Sequence, residues 1–178
     1  MLLVSQARFI PVKMIQKTTY RQQNPSAQLL SDKGTYALKI HCLQNKSISV
    51  GRLGILNLEI AYYIYVGSAF GSGGVKARVS HHFNKKARQH WHIDYITNVC
   101  DIESVWYTYD PAKREHFWVE TVANLENSQA PFPGFGASDH RGNSHLFSFQ
   151  KCPSLERFRK ALMSNKLNHE AVFELSIK

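Results

Sequence analysis

Arg78 and His82 stand four residues apart in "GVKARVSHHFNKK". Val75, Val79 and either His82 or Phe83 recur there at helical spacing and predict a helix over 74–84. On a helix, a separation of four puts two side chains on one face, one turn apart. Phosphodiester hydrolysis needs that combination: a cation near the phosphate oxygens and a base for the attacking water. Guanidinium grips phosphate oxygens in bidentate fashion, and imidazole titrates near neutral pH. Two tyrosines stand in support, Tyr36 in "GTY" and Tyr65 in "YVG", each in a β-forming run beside a glycine. Each also reads as a packed core residue with a hydrogen-bonded hydroxyl, and Tyr36 as a base requires nearby positive charge to lower its pKa.

Gly67, Gly71, Gly73 and Gly74 lie between the strand-like "AYYIYVGSA" and this helix, where backbone amides and the helix dipole favour an anion. Neither a P-loop nor a dinucleotide fingerprint is completed, since no Gly-Lys-Ser/Thr follows and a third fingerprint glycine is missing. Charge points to a polyanionic partner. The chain carries 22 Lys+Arg against 13 Asp+Glu, a net +9, and Lys33 to Ile93 holds nine basic residues and a single acid, Glu59. Such a field attracts nucleic acid by Coulomb forces and counterion release. The expected nucleic-acid contacts are Gly67 and Ser68 at the strand end, Lys76 on the helix, and Lys85, Lys86 and Arg88 after it.

The elements that must position these groups follow from periodicity. With 178 residues and 43% apolar content, one domain is expected. Residues 1–33, with the polar "QKTTYRQQNPSAQ", read as an arm, 34–150 as the domain proper and 151–178 as a helical extension. "GTYALKIHCL" alternates Tyr36, Leu38, Ile40 and Cys42 against Ala37, Lys39 and His41, a strand; "ISVGRLG" is expected to return as its hairpin partner. "WHIDYITNV" reads as helix or strand and "ESVWYTY" as strand. Asp110-Pro111 predicts a helix start, running through "AKREHFWVETVANLEN". "SQAPFPGFGASDHRGNS" is loop, "HLFSF" a strand, and Ser154 caps a last helix, "LERFRKALMS". Cys42, Cys100 and Cys152 are odd in number and far apart, which excludes a fully paired disulfide framework and fits a reducing, cytoplasmic compartment. No apolar run approaches the roughly 20 residues that span a bilayer, so no membrane is expected, and "MLLVSQARFIPVKM" lacks the parts of a signal peptide.

The order "GTY", "YVG", a helix with arginine and a hydrogen-bonding residue four later, then a helical glutamate resembles the GIY-YIG endonucleases. The resemblance is closest to their Uri-type branch, through "GTYAL", "GRLG", "YIYVGSAFGSGG", "HWHIDY", "PGFGASD" and "SHLF". It implies an α+β fold: a small three-stranded antiparallel sheet, with room for an extra hairpin strand, flanked by helices. It further implies metal-dependent endonucleolytic hydrolysis or nicking of DNA, with RNA as an additional candidate substrate. Carried onto this chain, Tyr36 and Tyr65 are the signature tyrosines, Arg78 stabilises the phosphate, Glu120 in "WVETVANL" binds the metal, Mg²⁺ or Mn²⁺, and either Tyr36 or His82 is the base. Helical position alone does not select Glu120: Glu115 and Glu126 share the helix, and each of the three also reads as an exposed, solubilising residue. The sequence departs from the family pattern in the 28 residues between "GTY" and "YVG", in His140 and Gly142 where the branch usually has cysteines, and in lacking a clear asparagine after the glutamate helix. Two other readings are a non-catalytic nucleic-acid-binding module on the same scaffold, and a zinc-stabilised adaptor using His90, His92 and Asp94, joined by His140 and His145.

Overall fold

A computed structural model describes residues 25–84, 89–136, 144–164 and 168–177. Eleven regular elements follow in chain order: β1 (Thr35–Cys42), β2 (Lys46–Val50), β3 (Gly54–Leu58), β4 (Ala61–Ser68), α1 (Gly74–Phe83), α2 (His92–Thr97), β5 (Asp101–Thr108), α3 (Glu115–Ala123), β6 (Leu146–Phe149), α4 (Leu155–Ser164) and β7 (Phe173–Ser176). The result is a mixed α+β fold. A five-stranded antiparallel sheet, in the order β6-β4-β1-β5-β7, is joined by a two-stranded β2-β3 sheet and flanked by helices.

β1 occupies the centre because both of its faces are apolar enough to be covered. Tyr36, Leu38, Ile40 and Cys42 enter one core with Val75 and Val79 of α1, Ile93 and Ile96 of α2, and Leu56 and Leu58 of β3. Ala37 faces the opposite core, where Trp106, Trp118 and Phe158 pack with Ile64, Val66 and Leu162. Period-2 alternation in a central strand therefore divides two hydrophobic layers rather than core from water.

Two sequence expectations change. "ISVGRLG" does not return along β1. Its residues form β2 and the start of β3, which pair with each other, while β1 pairs with β4 and β5. Asp110-Pro111 does not open a helix: the Asp110 carboxylate accepts from the Ala112 N–H at 2.9 Å, from Arg114 Nε at 2.8 Å and from the Glu170 N–H at 3.2 Å, and α3 starts later, at Glu115. The described part of the N-terminal arm is docked, with Leu29 buried and Ser26 Oγ 2.6 Å from Ser80 Oγ of α1. The C-terminal extension is part of the same core, since α4 buries Phe158 and Leu162 and β7 adds a fifth strand against β5.

Cysteine pairing is the remaining difference. Cys42 at the end of β1 and Cys100 just before β5 form a disulfide across 58 residues, and Cys152 is the free, exposed thiol. The odd count excludes a fully paired framework, as observed, but does not reveal that β1 and β5 are sheet neighbours, which brings the ends carrying Cys42 and Cys100 together. Among the described residues, no helix is long and apolar enough to cross a membrane. Thiol titration of the denatured, unreduced protein is expected to find one reactive sulfhydryl; three would contradict the pairing. Cys42→Ser with Cys100→Ser should lower unfolding free energy by about 2–4 kcal/mol, read by denaturant titration.

Candidate functional site

Strand register brings Tyr36 and Tyr65 together. Tyr36 pairs with Gly67 and Leu38 with Tyr65, so Tyr36 and Tyr65 are diagonal neighbours on one face of the sheet. Gly67 matters to this arrangement: a Cβ there would sit 2.4 Å from the Tyr36 hydroxyl, so only glycine lets the ring lie against β4. α1 crosses the same face, with Val75, Val79 and His82 buried along one stripe.

His82, 3% exposed, meets Tyr36, 2% exposed, in a buried hydrogen bond of 2.8 Å between Tyr36 Oη and His82 Nε2. The edge of the Tyr65 ring approaches the same imidazole, with centroids 6.4 Å apart. His82 Nδ1 faces Asp94 Oδ1 at 3.6 Å, an electrostatic approach longer than a good hydrogen bond. Asp94 Oδ2 accepts from the backbone N–H groups of His90 at 2.9 Å and Trp91 at 3.0 Å, and lies 3.2 Å from His81 Nε2. Arg78 stacks its guanidinium 4.3 Å from the Trp91 ring centroid. A cleft of about 280 Å³ opens beside it, bordered by Arg78, His81, Trp91 and the glycine turn.

Protonation states follow from burial and neighbours. Burial, then the adjacent Tyr65, pushes the Tyr36 phenol well above its ordinary range; Glu115 and Asp94 add to this and Arg78 opposes it. Tyr65 is likewise raised, by burial first and Glu115 second, against Arg78. The condition set for Tyr36 as a base, a lowered pKa, is thus not met: burial outweighs the guanidinium. Burial also lowers the His82 imidazole, which the facing Asp94 only partly offsets, so His82 is neutral near pH 7. For Asp94, burial pushes upward, but His82, the two backbone amides and His81 together win, leaving the carboxyl well below the usual range and ionised.

The first amides of α1 are already bonded within the protein. At the start of α1 the Val75 N–H donates to the Asp32 carbonyl at 2.9 Å and the Lys76 N–H to the Leu30 carbonyl at 3.1 Å. Gly74 is required by that docking, since a Cβ on it would meet the Asp32 carbonyl oxygen at 2.0 Å. The expected contacts separate accordingly. Gly67 is buried under Tyr36, Ser68 is half-buried at the strand end, and Lys76 is exposed on α1. Lys85, Lys86 and Arg88 lie outside the described residues, as does His140.

Of the α3 glutamates, the one that acts on the tyrosines is Glu115. It raises both phenols and lies with Oε1 3.6 Å from His145 Nδ1, its side chain one-third exposed. Glu120, the residue matched by resemblance, has a side chain 57% exposed and pairs with His116 at 3.2 Å. Five residues on a helix correspond to about 140° of rotation, so the two glutamates serve different faces of α3. Asp94 is the other functional group that sequence reading set in another role. "HWHID" is not a strand presenting His90, His92 and Asp94 together; it opens the short helix α2, where Asp94 takes the third position and accepts the amide of the residue preceding the helix. The available signal was Asp three residues after a helix-capping position. Among the described residues, no group of three or more His, Cys, Asp or Glu side chains is arranged to hold a metal ion, so the multi-histidine zinc centre does not form there.

Residues 35–167 match the family model described as a domain of unknown function, DUF123. The chain belongs to that family. No curated protein and no solved structure matches it.

His82 controls acid stability. Its folded pKa lies below its unfolded value, so its contribution is complete above about pH 6.5 and is lost as the pH falls toward the folded pKa. Asp94, also depressed, contributes above about pH 4 and loses that contribution on further acidification. Melting temperature is expected to fall between pH 7 and 5, with a shallower fall in His82→Gln; equal slopes in parent and variant would contradict this. Gly67→Ala should displace the Tyr36 ring and break its bond to His82, seen as a changed Tyr36 environment by near-UV circular dichroism.

Proposed function

We propose that this chain is a metal-dependent phosphodiester hydrolase, an endonuclease or nicking enzyme acting on DNA, as the resemblance to GIY-YIG endonucleases implies. The observation that supports it most is the convergence of two phenols, a neutral imidazole, a guanidinium and a carboxylate, Tyr36, Tyr65, His82, Arg78 and Glu115, from two strands and two helices, β1, β4, α1 and α3. Phosphoryl chemistry needs charge stabilisation and a proton acceptor in one place more than it needs a strong nucleophile in the protein.

Tyr36 and His82 are alternatives for the base in the sequence, but their 2.8 Å bond makes them one unit. The phenol is held protonated at rest, so it accepts a proton from water only as it passes its own to His82 Nε2. Water oxygen bonds to phosphorus, the bond to the leaving ribose oxygen breaks, the water proton ends on the Tyr36 oxygen and the former Tyr36 proton on His82 Nε2. Tyr65 orients the attacking water, and Arg78 neutralises the charge that grows on the phosphoryl oxygens. Glu115 fits a hard cation such as Mg²⁺ or Mn²⁺, which commonly takes one or two protein carboxylates and completes its shell with water and phosphate. That cation supplies polarisation of the phosphate and stabilisation of the leaving oxygen. Basic side chains of the Lys33–Ile93 region attract the polyanion.

A second reading, a nucleic-acid-binding module without turnover, is favoured by the near-complete burial of Tyr36 and His82. Incubation with supercoiled plasmid, single-stranded DNA and RNA, with Mg²⁺, Mn²⁺ or EDTA, separates the two. Metal-dependent nicking is expected, with Arg78→Ala and Glu115→Gln each slower by on the order of 10²-fold or more. Glu120→Gln should stay within about threefold of the parent, because it lies on another face of α3. Absence of metal-dependent cleavage, with binding retained, would establish the second reading; Glu120→Gln as inactive as Glu115→Gln would reassign the metal ligand.

A further inference from the structure

A phenol can pass its proton to an imidazole only if the receiving nitrogen is bare. Neutral His82 has two tautomers, and the surroundings of its ring choose between them. From β1 comes the Tyr36 hydroxyl, at Nε2, and from β4 the edge of Tyr65. Arg78 and His81 approach from its own helix, and Trp91 and Asp94 from the α2 segment. Of these Asp94 alone is an anion, and its Oδ1 faces Nδ1 at 3.6 Å. A lone pair on Nδ1 would be aimed at a carboxylate, whereas a proton there is attracted to it. The carboxylate is itself fixed, because its other oxygen is held by the His90 and Trp91 amides and lies 3.2 Å from His81 Nε2.

We infer that Asp94 is a positioning residue that holds His82 as the Nδ1–H tautomer, so that Tyr36 donates to bare Nε2 and the imidazolium formed by proton transfer faces a counter-anion. In the resting state the Tyr36 O–H points at Nε2. During transfer the Tyr36 O–H bond breaks, an N–H bond forms on Nε2, and the phenol oxygen takes the proton of the attacking water. His82 then returns its proton to the Tyr36 oxygen as that oxygen passes the proton it took from water to the departing oxygen or to solvent, which restores the starting state. The use of the relay rests on the hydrolase reading; the tautomer assignment does not.

Asp94→Asn is the diagnostic change. Its amide oxygen can keep the two backbone N–H bonds, while its NH₂ turns toward Nδ1 and donates to it, inverting the tautomer. Long-range ¹H–¹⁵N spectra of ¹⁵N-histidine-labelled protein at pH 7.5, with the His82 signals assigned through His82→Gln, read this directly. The parent is expected to carry its proton on Nδ1 and Asp94→Asn on Nε2. In plasmid nicking, Asp94→Asn should lose on the order of 10²–10⁴-fold in kcat, with KM within about twofold. A parent protonated on Nε2, or an unchanged tautomer in Asp94→Asn, overturns the assignment even if the protein cuts DNA. Tautomer inversion in a protein that cuts no nucleic acid supports the assignment and rejects the hydrolase reading. Inversion with cleavage at the parent rate overturns the catalytic role of the relay.

Discussion

One buried hydrogen bond organises this molecule: the Tyr36 phenol to the His82 imidazole, 2.8 Å, with almost no water in reach. Its partners come from positions 46 residues apart, so it exists only where β1, β4 and α1 pack in the observed order. An unpaired buried hydroxyl or ring nitrogen costs about 1–3 kcal/mol, so loss of either partner penalises the other. Gly67 is glycine because the phenol lies against it, and Gly74 is glycine because the docked 30–32 segment meets the start of α1 there. Both glycines therefore maintain the α1–sheet interface in which the bond sits.

The same burial decides the protonation pattern. Desolvation keeps both tyrosines protonated and His82 neutral, while four inward donors keep Asp94 ionised. The site thus holds an anion, Asp94, and a cation, Arg78, both beside Trp91 and near a neutral phenol–imidazole pair. Such an arrangement can move a proton without first generating a buried phenolate. Glu115 is partly exposed and faces His145.

Much of the frame was legible in the sequence. The alternation of "GTYALKIHCL", the β-rich "AYYIYVGSA" and the stripe Val75, Val79, His82 correctly indicate β1, β4 and α1, because each buries its apolar residues at the period of its own geometry. Long-range pairing was less legible. Nothing local in "FELS" announces an edge strand on β5, and "ISVGRLG" pairs with its own continuation because a tight ribbon satisfies its backbone at low sequence separation. Asp110-Pro111 has the composition of a helix start, yet a neighbouring arginine and a distant amide compete for its carboxylate. In the site, the tyrosines, Arg78 and His82 were identifiable by type and spacing. Glu115 and Asp94 were not, since choosing among carboxylates requires knowing which helix face meets the sheet. The Cys42–Cys100 pair escaped for a related reason: its 58-residue separation is closed by the β1–β5 register.

The proposed chemistry requires a cation and a nucleotide linkage to meet beside Glu115, Arg78 and the two phenols. A crystal structure of Tyr36→Phe soaked with Mn²⁺ and a short oligonucleotide tests it most directly, because anomalous scattering locates the metal without reference to turnover. An anomalous peak within coordination distance of a Glu115 oxygen, with a backbone phosphate against Arg78, is the predicted result. A peak at Glu120, or an oligonucleotide bound away from the β1–β4–α1 face, would contradict the account.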